Sequence, residues 1–365
     1  MKKIMQRLFI FWIALLPFIL WQGYYEGPKI IYFYIGSFLL FIFWIVETLK
    51  FKKYFAFTKA DIFYLLWLVV LLVSSIIGVH PFESIIGGSY RHQGVLFFFS
   101  LWVVGKTVST LDKNSDSFLV RALSITIIVE SLLMLFQYSF GKLYFGKPLG
   151  TIGEANAAAG FLAIGSGFLD ANYLWAIFIV FVIFLTRSKS GLFAALVTNI
   201  YLLVGKVSKK KIIFLVSVVL MASIAVGYIY LGNKIRYLIA PASSLWHLES
   251  EDRVLIWRMG IDKILQKPIF GWGAESSEVV FYSSYKESGM PLLGIAIDRA
   301  HNLFLDILMW SGVVGLGFFL VWLWKIFKYI KRLNFKLAFF AFLIFSFFQP
   351  LSIVHWILII IIVNI

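Results

Sequence analysis

The chain has 365 residues and a formal net charge of +15; 61% of it is hydrophobic and 14% charged, where a soluble globular domain carries roughly 25% charged residues. So much Phe, Trp, Ile and Leu cannot be hidden in a water-soluble core of this size, which excludes an ordinary soluble enzyme, and it equally excludes a disordered chain. The absence of Cys removes disulfides, thiolate zinc sites and cysteine nucleophiles.

The expected class is therefore an all-α, polytopic integral membrane protein. A helix needs about 20 mostly apolar residues to cross the ~30 Å hydrocarbon core. In chain order, apolar runs predict spans over 8–24, 30–49, 60–79, 94–111, 118–140, 155–169, 171–186, 191–204, 212–231, 302–324, 337–348 and 351–365. The first run lacks a small-residue cleavage site and reads as an anchor. The 155–169 run is rich in Ala and Gly (Ala157, Ala158, Ala159, Gly160, Gly165, Gly167); small residues let helices approach closely, so it is expected inside the bundle. The last run is too short for the core at 1.5 Å per residue, and is expected to be a short or tilted-in helix, or part of a chain that continues. The expected organisation is about twelve transmembrane helices, nine over 1–231 and three over 301–365, separated by a lid over 232–300.

Charge sets the orientation. Lys2, Lys3 and Arg7 begin the chain; Lys50, Lys52, Lys53 and Lys59 form a second cluster; Lys206, Lys209, Lys210 and Lys211 a third; Lys325, Lys328, Lys331, Arg332 and Lys336 a fourth. No acid lies among these sixteen, and the other seventeen basic residues meet all eighteen acids. The excess thus follows the positive-inside rule, with a cytoplasmic N-terminus and the lid on the outer side of the cytoplasmic membrane. Nucleic-acid binding is not needed to explain it.

Residues 232–300 make a 69-residue polar insertion with eight basic and eight acidic residues. Val254, Trp257, Ile261 and Ile264 recur at near-helical spacing. Pro268 ends that helix, and Ile269-Phe270-Gly271-Trp272-Gly273 reads as a turn.

Cations on the outer side break the inside-positive trend. Arg187 and Lys189, in Thr186-Arg187-Ser188-Lys189-Ser190-Gly191, sit at a turn between two spans; they either snorkel to lipid headgroups or clamp a phosphate with the help of the serines and the following helix N-terminus. Arg253 either pairs with Glu249, Glu251 and Asp252 at the surface or serves a site. Arg91, beside Tyr90 and a glycine pair, anchors a headgroup or simply its loop. His301 stands where lid and bundle meet; a lone His is more often structural, but neighbouring cations would keep this one neutral as a base, with Asp298 or Asp306 to orient it. Glu130, near the middle of its span, is either the carboxylate of a proton-coupled transporter or a group held by the bundle. The sequence shows no carboxylate pair, metal cluster or phosphate-binding glycine loop, so no cofactor or metal is expected.

Taken in order, several stretches resemble the O-antigen ligase/polymerase superfamily of membrane glycosyltransferases. They are Gly88-Ser89-Tyr90-Arg91-His92-Gln93-Gly94, Asn156-Ala157-Ala158-Ala159-Gly160, the Arg187 turn, Asp252-Arg253-Val254-Leu255-Ile256-Trp257, Pro268 to Gly273, Arg299-Ala300-His301-Asn302-Leu303-Phe304-Leu305 and Gly312-Val313-Val314-Gly315. The resemblance is strongest over 150–320 and departs in the abbreviated C-terminus. It implies a GT-C-like helical enzyme of the cytoplasmic membrane that moves a glycan from a polyprenyl diphosphate carrier to a lipid, glycan or protein acceptor, without nucleotide or metal. On that pattern Arg187, Arg253, Arg91 and Lys189 would hold the diphosphate and His301 would act at the acceptor hydroxyl. Tyr90, Asn156, Trp272, Asn302 and Asp298 would support the site or touch sugar. A repeat-unit polymerase and a protein O-oligosaccharyltransferase share this donor chemistry. A lipid-linked sugar flippase or transporter is the non-enzyme alternative, expected to depend on Glu130 and to tolerate loss of residues 240–290.

Overall fold

The computed structural model describes residues 3–21, 25–51, 57–141, 146–169, 173–204, 253–288 and 297–365. These residues are all-helical, 78% helix with no strands. The helices are α1 (Lys3–Leu15), α2 (Glu26–Phe51), α3 (Lys59–Ile76), α4 (Pro81–Ile86), α5 (Val95–Val108), α6 (Lys113–Phe140), α7 (Ala155–Gly165), α8 (Tyr173–Leu185), α9 (Lys189–Val204), α10 (Arg253–Gln266), α11 (Ser277–Ser288), α12 (Leu303–Tyr329), α13 (Leu333–Phe348) and α14 (Ile353–Asn364). The span expected at 212–231, the basic residues at 206–211 and the lid residues 232–252 lie outside the described residues.

The chain is a multi-pass membrane protein, but the expectation of about twelve spans is not carried by helix length. Among the described residues four helices are long and apolar enough to cross a membrane: Glu26–Lys50, Lys59–Ile76, Lys113–Phe140 and Leu303–Tyr329. Val95–Val108, Ala155–Phe168, Leu174–Leu185, Leu333–Phe348 and Ile353–Asn364 are apolar and shorter. Helix α14, with 12 residues, rises about 18 Å. Its residues from Ile353 to Ile362 are all buried, so its ends meet protein, where the freed backbone groups of a short helix can be satisfied.

Side-chain caps start several of these helices. Thr58 and Asp61 form a reciprocal capping box at α3, and Asp112 caps α6 through Ser115 N. At one end of the bundle, Asp61 also accepts from Lys106 Nζ (2.9 Å) and Trp102 Nε1 (3.1 Å). Lys331 lines the adjoining hollow; we call this the basic end. The opposite end gathers the segments 86–94, 146–154, 267–276, 297–302 and 349–353, and we call it the site end.

Helix α7 is buried along nearly all its length, as its small residues imply. A Cβ on Gly160 would meet the Phe345 ring at 2.4 Å, and one on Gly191 would meet Ala159 at 2.5 Å, so α7 packs against α13 and α9 at glycine distance. His355 braces the same region. Its Nδ1 accepts from Ser352 N (2.9 Å) and its Nε2 donates to Ala157 O (2.9 Å), which ties the start of α14 to α7.

Helix α12 is broken. Gly312 has φ 63 and ψ −169 inside it. The segment after Pro268, expected as a turn, fills the break: Trp272 N donates to Met309 O (2.8 Å), Gly273 N to Trp310 O (3.0 Å), and Val313 N to Pro268 O (2.8 Å). A Cβ at Gly312 would lie 2.1 Å from Ile269 O. Helix α10 forms where Val254, Trp257, Ile261 and Ile264 recur at near-helical spacing. Ile256, Met259, Gly260, Lys263 and Ile264 are buried, whereas Ile261 is 48% exposed. The i, i+3, i+4, i+7, i+8 spacing of the buried set is that of a single helix face.

Candidate functional site

Two loops meet at the site end. The first, 87–94, turns at Gly87 (φ 118) and at His92, a non-glycine residue at φ 56. Tyr34 pins it by donating to Ile86 O (3.0 Å) or His92 O (3.3 Å). This loop presents Tyr90, which is 63% exposed, and Arg91, whose guanidinium lies 5.2 Å from the Tyr90 ring centre. The second loop, 297–302, leads into α12. Asn302 caps that helix by accepting from Phe304 N (3.0 Å) and Leu305 N (3.2 Å), and Asp306 accepts from Ala300 N (2.8 Å). An ion pair between Arg91 Nε and Asp298 joins the two loops. Burial opposes charge on both partners, yet Asp298 and Glu154 keep Arg91 firmly cationic, and Arg91 and Arg299 hold the Asp298 carboxyl below its usual range.

His301 sits at φ 55, in the left-handed region that a side chain with a Cβ occupies at a cost. Helix α10 covers its loop: Trp257 donates its indole N–H to Ala300 O (2.8 Å) and packs edge-on against Phe347. Arg253, one turn before Trp257, opens this helix. The acids expected to pair with it, Glu249, Glu251 and Asp252, lie outside the described residues. Burial lowers the His301 pKa to about 4; the charges of Arg91 and Arg253 act in the same direction and Asp298 against it. The imidazole is thus neutral at neutral pH, and its Nδ1 is buried with no hydrogen-bond partner. A neutral imidazole thus lies within electrostatic reach of the Arg91 and Arg253 charges.

Not every expected site residue belongs to this group. Arg187 and Lys189 line a separate hollow of about 410 Å³ with Tyr138, Phe184, Leu185, Ser188 and Leu192, none of which belongs to the His301 cluster. Arg187 is exposed and also has positive φ, 56. Ser188 is committed locally, its hydroxyl accepting from Gly191 N (3.2 Å). Asn156 lies in the first turn of α7 and is half-buried. Trp272 donates its indole N–H to Lys263 O (2.9 Å) and lies under Lys267 Nζ at 4.3 Å, in the seam between α10 and α12.

Three polar residues at the junction were not expected: Gln93, Glu275 and Arg299. Glu275 accepts from Gln93 N (2.8 Å) and Arg299 Nη2 (2.5 Å). Arg299 stacks over Trp310, 4.2 Å from its ring centre. The available signal was the spacing of Gln93 and Arg299, each two residues from an expected site residue; Glu275 carried none, because an isolated loop carboxylate reads as solvated.

Residues 174–320 match the O-Antigen ligase family (Wzy_C). This stretch holds Arg187, Lys189, Arg253, Trp272, Asp298, His301 and Asn302, while Tyr90, Arg91 and Asn156 lie before it. A protein of Rickettsia conorii named as a polysaccharide ligase is 35% identical over 95 residues, 23% of this chain and 22% of the relative. The chain thus matches about a fifth of that relative's length. The similarity to the O-Antigen ligase family thus rests on residues 174–320.

Proposed function

We propose that this protein is a membrane glycosyltransferase of the O-antigen ligase type, moving a glycan from a polyprenyl diphosphate carrier to an acceptor hydroxyl at the outer face of the cytoplasmic membrane. The observation that carries the proposal is the neutral, partly buried His301, whose Nδ1 has no partner and which feels the charges of Arg91 and Arg253. The acceptor oxygen attacks the anomeric carbon, the bond from that carbon to the diphosphate oxygen breaks with inversion, and the hydroxyl proton passes to His301. Charge grows on the departing diphosphate. Arg253 is placed to stabilise it, and in a partly desolvated pocket one such donor is worth on the order of 10²–10³ in rate. Arg91, held by Asp298, fixes the loop and contributes to the same field. Arg187 and Lys189 receive the carrier from the membrane side in their own hollow. Exposed Tyr90 offers a sugar-stacking face.

The test is purified protein in detergent, given a synthetic polyprenyl-diphosphate oligosaccharide and lipid, glycan or peptide acceptors, with released polyprenyl diphosphate as the readout. Release should require one acceptor class and fall about 10²–10³-fold in Arg253→Ala. Release that is unchanged in Arg253→Ala and in Arg187→Ala would defeat the proposal. The acceptor arms separate ligase, polymerase and protein-glycosylating activity.

A further inference from the structure

Glu275 lies between α10 and α11 at φ 57, a conformation that persists for a non-glycine residue only where its surroundings over-determine it. Its carboxylate takes hydrogen bonds from two different loops. Gln93 N, two residues after Arg91, donates at 2.8 Å, and Arg299 Nη2, two residues before His301, donates at 2.5 Å. Both partners are themselves fixed. Gln93 Nε2 donates to Leu351 O (2.6 Å), its Oε1 accepts from Trp356 Nε1 (3.3 Å), and the Arg299 side chain is 2% exposed over Trp310. The close approach needs Gly88, whose Cβ would lie 3.1 Å from Glu275 Oε2. The Arg91–Asp298 pair bridges the same two loops one step away. Of the left-handed non-glycine residues among the described residues, His92, Glu275 and His301 all belong to this junction.

We infer that Glu275 is a positioning residue that sets Arg91 and His301 relative to one another, acting through the Gln93 backbone and the Arg299 guanidinium. The inference rests on the transferase reading above. Gln at this position keeps the reach and an acceptor oxygen but deprives the buried Arg299 guanidinium of the carboxylate it is paired with. Lys at 299 keeps the charge pair and loses the planar fork.

The experiment uses the full chain in detergent with a polyprenyl-diphosphate oligosaccharide and its acceptor, following initial rates and thermal unfolding. Glu275→Gln and Arg299→Lys are each made in the wild-type and in the His301→Ala background. Glu275→Gln should lower kcat by roughly 10–100-fold per folded molecule with donor KM within about threefold. In the His301→Ala background the same change should cost less than about twofold, because the group being positioned is gone. Arg299→Lys should show the same non-additivity with a smaller loss, and it decides the matter if Glu275→Gln does not fold. Equal fold-losses in both backgrounds, or a loss matching the unfolded fraction, would overturn the inference. No transfer by the wild-type chain with any acceptor would remove the transferase reading itself, whereas transfer indifferent to His301→Ala would overturn the inference alone, because the group argued to be positioned then does no work.

Discussion

Glu130 and His301 are both enclosed ionisable groups near the site end, and their surroundings differ. Thr151 donates its N–H to one Glu130 oxygen (2.7 Å) and its hydroxyl to the other (2.6 Å). Lys29, fully buried, donates to Thr151 O (2.8 Å) and Tyr25 O (3.0 Å). Glu130 thus anchors the loop between α6 and α7, and its partners are used up. His301 keeps an unpartnered Nδ1, a strained backbone and two nearby cations. An enclosed ionisable group whose hydrogen bonds are complete holds structure together; one left incomplete, on a strained turn, is where chemistry is to be sought.

The contrast breaks most visibly if His301 is removed. His301→Ala should lower kcat about 10²–10⁴-fold, the range for a general base, with little change in unfolding temperature; a loss below threefold would end its role as base. Next in size is Gly312→Ala. It places a Cβ against Ile269 O at a positive φ, and should destabilise the protein by about 2–4 kcal/mol in detergent unfolding; an unchanged midpoint would mean the break in α12 is not held as described. Acidification sharpens the comparison. With its pKa lowered to about 4, His301 should leave kcat flat between pH 7.5 and 5.5, where an ordinary imidazole of pKa about 6.5 would lose most of its base form. The unfolded chain binds a proton at this site below about pH 6.5 and the folded one only near 4, so the His301 contribution to stability is present above that window and declines as pH falls through it. The smallest effect on transfer belongs to Glu130→Gln: activity per folded molecule within about threefold, with a lower unfolding temperature. Abolished activity in a fully folded Glu130→Gln protein would revive the proton-coupled alternative.

What could be read from the sequence follows the physical reach of each signal. The all-helical class came from continuous apolar runs, and the burial of α7 from its Ala and Gly content, because both are local properties. Arg253 is legible as an outer-side cation that breaks the inside-positive trend, and His301 as an imidazole where lid and bundle meet. Three features were out of reach. The break at Gly312 lies inside a largely apolar helix, and a glycine there does not by itself announce a broken helix. Which apolar residues of α10 turn inward is not legible either, because Trp257 and Ile261 are both apolar, yet Trp257 bonds Ala300 O while Ile261 is 48% exposed. Glu275 matters only through partners 182 and 24 residues away in the chain, a relation that no local pattern encodes.

The filled break in α12 has a bearing on how this chain is engineered. Carbonyls of Met309 and Trp310 are capped by backbone N–H groups from Trp272 and Gly273, so excising 240–290 would remove those donors and leave two carbonyls of α12 without partners. A transporter would fare no better than a transferase under that cut. Chimeras that swap this region between relatives should therefore carry both halves of the seam, 267–276 together with 303–314, or they will graft a plug without its socket.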